Sequence, residues 1–151
     1  MLRQLGFDSP LGALTLTDEA GVLTRLEWRR APVGPGSDLL DLACAQLGEY
    51  FEKKRQVFEL LFDFGEGLQA DVRRAMVAIP YGETRTYGDL ARDLGVPAQV
   101  IGQACGANAL PIFIPCHRIV AANGLGGYSG AGGVETKVAL LRLEGAASLL
   151  I

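Results

Sequence analysis

The sequence predicts an α+β protein built from two small domains, residues 1–64 and 65–151. Apolar and polar residues alternate through much of the first half. The second half changes to short helical stripes with capping residues. Gly65-Glu66-Gly67 lies between the two patterns as a linker. A chain of 151 residues suffices for one domain, or for two small ones sharing a core. Its 49% hydrophobic and 21% charged residues mark a folded globular sequence.

Leu2 to Phe7, Leu11 to Thr17 and Val22 to Trp28 read as strands. Asp18-Glu19-Ala20-Gly21 reads as the turn joining the last two, and Val22, Thr24, Leu26 and Trp28 fall on one face. Ala31 to Gly36 holds two prolines and two glycines and reads as a loop. Ser37 suits a helix N-cap, with Asp38 and Asp41 in the first turn. Leu39, Ala43, Leu47 and Phe51 then line one helical side, and Cys44 reads as a core residue. Phe58, Leu60, Phe62 and Phe64 alternate as a further strand.

Beyond the linker, Val72, Ala75, Met76 and Ile79 form a helical stripe that Pro80-Tyr81-Gly82 ends. Thr86 caps a helix over Tyr87 to Leu94, with Asp89 placed as the capping-box acid. Gly95 closes that helix in the left-handed conformation, and Pro97 suits the first turn of the next, which runs to about Ala107. Two short helices meeting at Gly95-Val96-Pro97 form a helix-turn-helix signature. Pro111 to Val120 is apolar apart from Cys116-His117-Arg118. A glycine-rich loop, Asn123 to Gly133, precedes a last helix over Val134 to Glu144, ending at Gly145.

A net charge of −3 and a pI near 5.1 exclude a broadly basic nucleic-acid coat, though not a local basic face. Residues 1–64 carry 7 Lys/Arg against 10 Asp/Glu, whereas Val72 to Arg118 carry 5 Arg against 3 acids. No apolar run approaches the ~20 residues of a membrane span, and no secretory signal is visible, so a cytoplasmic protein is expected. Cys44, Cys105 and Cys116 are odd in number and indicate no disulfide framework. With His117 they make poor zinc-ligand spacing, so no metal is expected.

Cys116, His117 and Arg118 place three ionisable groups between Ile114 and Ile119. That is costly unless the groups are paired or used. A thiol beside an imidazole is a route to a reactive cysteine. The imidazole needs a carboxylate to orient it, and Glu135 and Glu144 in the last helix are both candidates. Gly126-Gly127-Tyr128-Ser129-Gly130 lacks the glycine order of a phosphate loop and reads instead as a wall that approaches a flat ligand closely.

Ile114-Pro115-Cys116-His117-Arg118-Ile119-Val120 resembles the active-site signature of the O6-alkylguanine-DNA alkyltransferases. The resemblance extends over Tyr81 to Ala91, over Asn108 eight residues before Cys116, and over Tyr128-Ser129-Gly130, Lys137 and Leu143-Glu144-Gly145. It covers Leu68 to Gly145 in register, and the first half only in its general plan. It implies a ribonuclease H-like N-terminal domain and a mainly helical C-terminal domain with the helix-turn-helix.

It also implies a mechanism. Cys116 takes the alkyl carbon from the guanine 6-oxygen in an SN2 displacement, irreversibly and once per molecule, with O4-alkylthymine as a further substrate. His117 acts as base through a bridging water, and Glu144 orients it. Tyr87 supplies a proton to the leaving guanine, and Ser129 adds a donor near the oxygen. Asn108 ties the helix pair to the active-site turn, and Arg118 braces the site. Cys105, Pro111, Tyr128, Gly130 and Lys137 are assigned to the substrate pocket. The partner is double-stranded DNA carrying O6-alkylguanine, bound by a monomer through the minor groove with the base flipped out. No cofactor and no membrane are involved. Thr86, Ala98, Gln99, Gly102 and Gly106 fall on the DNA-binding surface, with Arg73, Arg74, Arg85 and Arg92 as candidate phosphate contacts.

Two positions depart from the family pattern. Gln99 stands where an arginine normally enters the base stack, and Ala109 stands where proline usually follows the asparagine. The small residues around the pocket suggest room for alkyl groups larger than methyl. Three rival readings weigh less. A non-enzymatic alkyltransferase-like protein would lack the cysteine. A transcription regulator leaves Pro-Cys-His-Arg unexplained. A cysteine hydrolase would not normally have its nucleophile and base as sequence neighbours.

Overall fold

The computed structural model describes residues 2–31, 36–128 and 132–146. The chain forms two compact units, Met1–Asp63 and Phe64–Ile151. Expected site residues Ser129 and Gly130 lie outside the described residues, as do residues 32–35 of the proline-glycine loop.

In the first unit β1 (Leu2–Ser9), β2 (Gly12–Glu19) and β3 (Val22–Glu27) form an antiparallel meander in that order. The β2–β3 turn is tighter than the sequence suggests. Both strands run up to Ala20-Gly21, whose φ angles of 55° and 81° make the two-residue hairpin turn that suits twisted strands. The expected face of Val22, Thr24, Leu26 and Trp28 does not form. The register shifts at Thr17/Asp18, so Thr24 is an extra residue in β3, and Leu23 and Leu26 both point inward. A β-bulge breaks the period of two in this way.

Ser37 caps α1 (Asp38–Phe51) by accepting from the Leu40 amide at 3.1 Å, and its hydroxyl also donates to Asp18. The helix covers the sheet with Leu40, Ala43, Leu47 and Tyr50, all fully buried. This stripe is rotated from the expected one, leaving Leu39, Cys44 and Phe51 half-buried. The segment around Phe58 to Phe64 alternates in burial but is not a strand. It makes a single parallel bridge, Leu23 to Phe62, with the Leu23 amide on the Leu61 carbonyl and the Asp63 amide on the Leu23 carbonyl, each at 2.9 Å. Gln46 anchors it, accepting from the Glu59 amide at 2.9 Å.

The second unit holds α2 (Gly67–Val77), β4 (Arg85–Thr86), α3 (Tyr87–Leu94), α4 (Ala98–Gly106), β5 (Ile119–Val120) and α5 (Val134–Leu143). Helices α2, α3 and α4 pack on one another. Their buried faces supply Val72, Met76, Leu90, Ile101 and Ala104. The apolar run is a buried connection: every residue from Leu110 to Val120 is buried. Its end pairs in parallel with β4, Arg85 opposite Ile119 and Thr86 opposite Val120. Ile112 within it has φ 75°, a strained backbone for a β-branched residue.

Thr86 and Asp89 form the complete capping box, at 3.0 Å in each direction. Gly95 ends α3 at φ 67°, and Pro97 is the N-cap of α4 rather than its first helical residue. Only glycine adopts the Gly95 conformation without a steric penalty, so Gly95→Ala lowers stability by about 1 kcal/mol. Urea denaturation reads this as a lower midpoint at unchanged slope.

Candidate active site

The site begins at a 3-10 turn, Cys116–Arg118, entered through Pro115. The turn closes with the Cys116 amide on the Ile114 carbonyl at 2.8 Å and the Arg118 amide on the Pro115 carbonyl at 3.0 Å. In so tight a turn, three successive side chains leave in different directions.

His117 and Arg118 both reach Glu144, the C-cap of α5, whose side chain is fully buried. His117 Nε2 lies 2.8 Å from Glu144 Oε2. Arg118 donates to both carboxylate oxygens, Nε to Oε1 at 2.9 Å and Nη2 to Oε2 at 3.1 Å. A third bond runs from Arg118 Nη1 to the Ile79 carbonyl at 2.8 Å. Tyr81 lies under the Arg118 guanidinium at 5.8 Å and donates its hydroxyl to the Leu143 carbonyl at 3.2 Å. Of the two carboxylates the sequence leaves open, Glu144 meets the imidazole, and Glu135 is exposed.

Burial favours a neutral Glu144, but the His117 and Arg118 hydrogen bonds outweigh it and hold the carboxyl down at about 2. Burial also pushes the His117 imidazole below its ordinary value, against the pull of Glu144. The ring is therefore neutral near pH 7. An ionised carboxylate can only accept, so the ring proton sits on Nε2. His117 Nδ1 is left as a lone-pair acceptor, buried and without a hydrogen-bond partner among the described residues.

Cys116 is 5% exposed and opens on a cavity of about 290 Å³. Among the described residues, Tyr87, Gly102, Cys105, Gly106, Gly127 and Tyr128 also line it. Burial raises the Cys116 thiol, while Asn108, Lys137 and Arg73 oppose that rise. Burial and the charge of Cys116 push Cys105 up to about 12. Tyr87 is also raised, by burial and then by the two thiols, so its hydroxyl keeps its proton. Gly126, at φ 73°, is pressed on Tyr87: a Cβ there would lie 3.2 Å from Cε2 and 3.3 Å from the hydroxyl. Asn108 splints the connection to Cys116, donating to the Ile114 carbonyl at 2.9 Å and accepting from the Leu110 amide at 3.1 Å.

Several expected positions fall elsewhere. Pro111 and Lys137 are buried and do not line the cavity. Lys137 Nζ instead donates to the Ile119 carbonyl at 2.7 Å and the Gly127 carbonyl at 3.0 Å. Gly102 and Gly106, assigned to DNA, line the cavity, and a Cβ on either would meet nothing within 4 Å. Ala98 and Gln99 are exposed at the start of α4. Arg73 is not a surface cation: it is buried and spends its guanidinium on the carbonyls of Phe64 (3.1 Å) and Ala104 (3.3 Å) and on Gln69 (3.0 Å). Arg74 is exposed, 3.7 Å from Asp71. Arg85 and Arg92 reach Asp93 and Asp89, each at 2.7 Å. Sequence reasoning did not foresee Tyr81 and Gly82 as supports for the Glu144 end of α5. A Cβ on Gly82 would lie 3.1 Å from the Glu144 carbonyl at a φ of 83°; in the sequence only the Pro80-Tyr81-Gly82 break marked the place.

This chain carries a DNA-binding module of a known kind. Residues 67–146 match the family described as 6-O-methylguanine DNA methyltransferase, DNA binding domain. The methylated-DNA–protein-cysteine methyltransferase of Mycobacterium tuberculosis is 39% identical over 95% of this chain and 93% of its own length. A crystal structure of the M. tuberculosis O6-methylguanine methyltransferase superposes with a TM-score of 0.84 at 37% identity, covering 97% of this chain and 94% of that one. A second M. tuberculosis structure, in complex with DNA, gives 0.80 at 38% identity over 97% and 93%. The chain belongs to the methylated-DNA–protein-cysteine methyltransferase family.

Stability follows the pH sign of the buried pair. Glu144, depressed from 4.5 to about 2, stabilises the fold fully above pH 4.5 and loses that contribution as pH falls toward 2. His117, depressed below 6.5, adds a decline that starts below that pH. Glu144→Gln removes about 3 kcal/mol at pH 7, because it strands buried Arg118. Denaturant titrations across pH should show both the loss at neutral pH and a flatter acid limb in the variant.

Proposed function

We propose that this chain repairs O6-alkylguanine in duplex DNA by moving the alkyl group irreversibly to Cys116 Sγ. One observation carries the reading. A thiol opens on a cavity, and its neighbour is a neutral imidazole with a bare Nδ1 and with Nε2 on a buried carboxylate. That unit can accept the thiol proton, directly or through one water, without itself starting charged.

In the reaction the S–C bond forms as the C–O bond breaks. The thiol proton goes to His117, whose imidazolium is stabilised by Glu144. Charge develops on the departing guanine, and the Tyr87 hydroxyl is the donor that meets it. Guanine and a thioether protein are the products. Nothing in the site reverses a C–S bond, so each molecule acts once. The cavity of about 290 Å³ leaves space for alkyl groups beyond methyl.

The target base leaves the duplex to reach Cys116. Helices α3 and α4 serve as the helix-turn-helix, entering the minor groove with the exposed start of α4. The protein acts as a monomer, and its N-terminal meander and helix suit a ribonuclease H-like plan. Arg74, Arg85 and Arg92 remain the phosphate candidates, the last two after exchanging their acidic partners. Gln99 fills the gap in the stack through its amide alone.

Intact mass after incubation with a duplex carrying one O6-methylguanine should rise by one methylene, mapped to Cys116 and absent in Cys116→Ala. Retained binding with no mass change would return the reading to a non-enzymatic damage binder. Gln99→Arg should speed single-turnover repair of duplex substrate about tenfold, since it adds a phosphate-attracted cation at the point of insertion; equal rates would remove Gln99 from the flipping step.

A further inference from the structure

The two helices assigned to DNA carry little net attraction for it. From Arg85 to Gly106 the charged residues are Arg85, Asp89, Arg92 and Asp93, and their charges cancel. Helix α4 has no charged residue at all. A duplex is held largely by cations that replace its condensed counterions. In the free protein both arginines of this pair of helices are already engaged.

The two acids hold their arginines differently. Asp89 belongs to the cap: Oδ2 accepts from the Thr86 amide at 3.0 Å, and Oδ1 accepts from Arg92 Nη2 at 2.7 Å. It lies in the first turn of α3, where the helix dipole favours an acid. When Arg92 swings away, Asp89 keeps the Thr86 amide. Arg85 leaves β4 just before that cap and runs along α3. Its Nε passes Asp89 Oδ2 at 4.0 Å, and its Nη1 ends 2.7 Å from Asp93 Oδ2. Asp93 is the penultimate residue of α3, where the dipole opposes an acid. It caps nothing, its side chain is 53% exposed, and Arg85 is its one partner among the described residues. Helix stability gives no reason for a carboxylate there.

The backbone ties Arg85 to the cavity. Thr86 and Tyr87 follow it directly, and Tyr87 lines the space in front of Cys116. Arg85 itself stands opposite Ile119, the residue after the Cys116–Arg118 turn.

We propose that Asp93 is an affinity-limiting residue of the DNA face: it holds Arg85 in the free protein, competes with phosphate for the guanidinium, and is left unpaired when Arg85 turns to the duplex. This rests on the reading of α3 and α4 as the DNA-binding helices. The protein's own carboxylate keeps its hold on undamaged duplex weak, so prolonged contact depends on the lesion and not on the backbone.

The test is the affinity of the full-length chain for a fluorescein-labelled undamaged duplex, followed by anisotropy across a salt series. Wild type, Asp93→Asn, Arg85→Ala and the double variant form a cycle. Both side chains are partly exposed, and removing an acid from the negative end of the dipole favours α3, so the variants keep the fold. Asp93→Asn should tighten binding about fivefold at about 50 mM salt, and steepen the fall of log K with log salt by about 0.9, one phosphate's share. With Arg85→Ala in place, the same change should alter affinity less than about twofold. Unchanged binding on Asp93→Asn overturns the proposal. Equal tightening in both backgrounds also overturns it, because Asp93 would then be a repelling charge that acts without Arg85. Alkyl transfer plays no part in these measurements, so they stand apart from the chemistry at Cys116. Absence of binding by all four proteins would sink the DNA reading itself, and this proposal with it.

Discussion

One buried carboxylate organises the candidate site. Glu144 sits at the end of α5 and takes hydrogen bonds from His117 and Arg118, consecutive residues of a single turn. Arg118 then extends to the Ile79 carbonyl after α2. The same carboxylate thus sets the imidazole tautomer, neutralises a buried guanidinium and joins three distant stretches of chain. Removing it would leave a charge stranded in the core, which is why its chemical and structural roles cannot be separated.

Around that unit the cavity is assembled from short pieces held by backbone bonds rather than by a large sheet. The two-residue pairing of β4 with β5 brings the start of α3, and with it Tyr87, beside the turn that carries Cys116. Asn108 fixes the entry to that turn, and Lys137 fixes the opposite wall to β5. Each wall of the cavity is tied by its own bonds, so a thiol, a hydroxyl donor and a glycine loop converge on one space.

How much of this was legible in the sequence depends on the range of the interaction. Helix ends are set by contacts within about four residues, and Ser37, the Thr86–Asp89 box and Gly95 were readable in place. Cys116, His117 and Arg118 stood out because three ionisable groups interrupt an apolar run. Glu144 and Glu135 could not be separated by spacing, since both lie in or beside one helix and only tertiary packing selects between them. Arg73 looked like a surface cation because its partners include a carbonyl 31 residues away. The Thr24 bulge and the left-handed Ile112 left no local mark, as both are imposed by neighbours in space. Lys137 and Pro111 were assigned to the cavity by resemblance; their burial is a property of the packed core.

Gly102 and Gly106 add a different kind of constraint. A glycine within a helix costs about 1 kcal/mol relative to alanine, and a methyl group at either position would meet no neighbouring atom. Packing therefore does not require these residues to be bare, and the fold would gain from covering them. What they maintain is open space along the cavity lining. The breadth of the opening is uncoupled from the stability of its frame, so side chains added there could narrow the range of groups admitted while leaving the buried charge unit untouched. The width of this cavity is set apart from what holds its frame together.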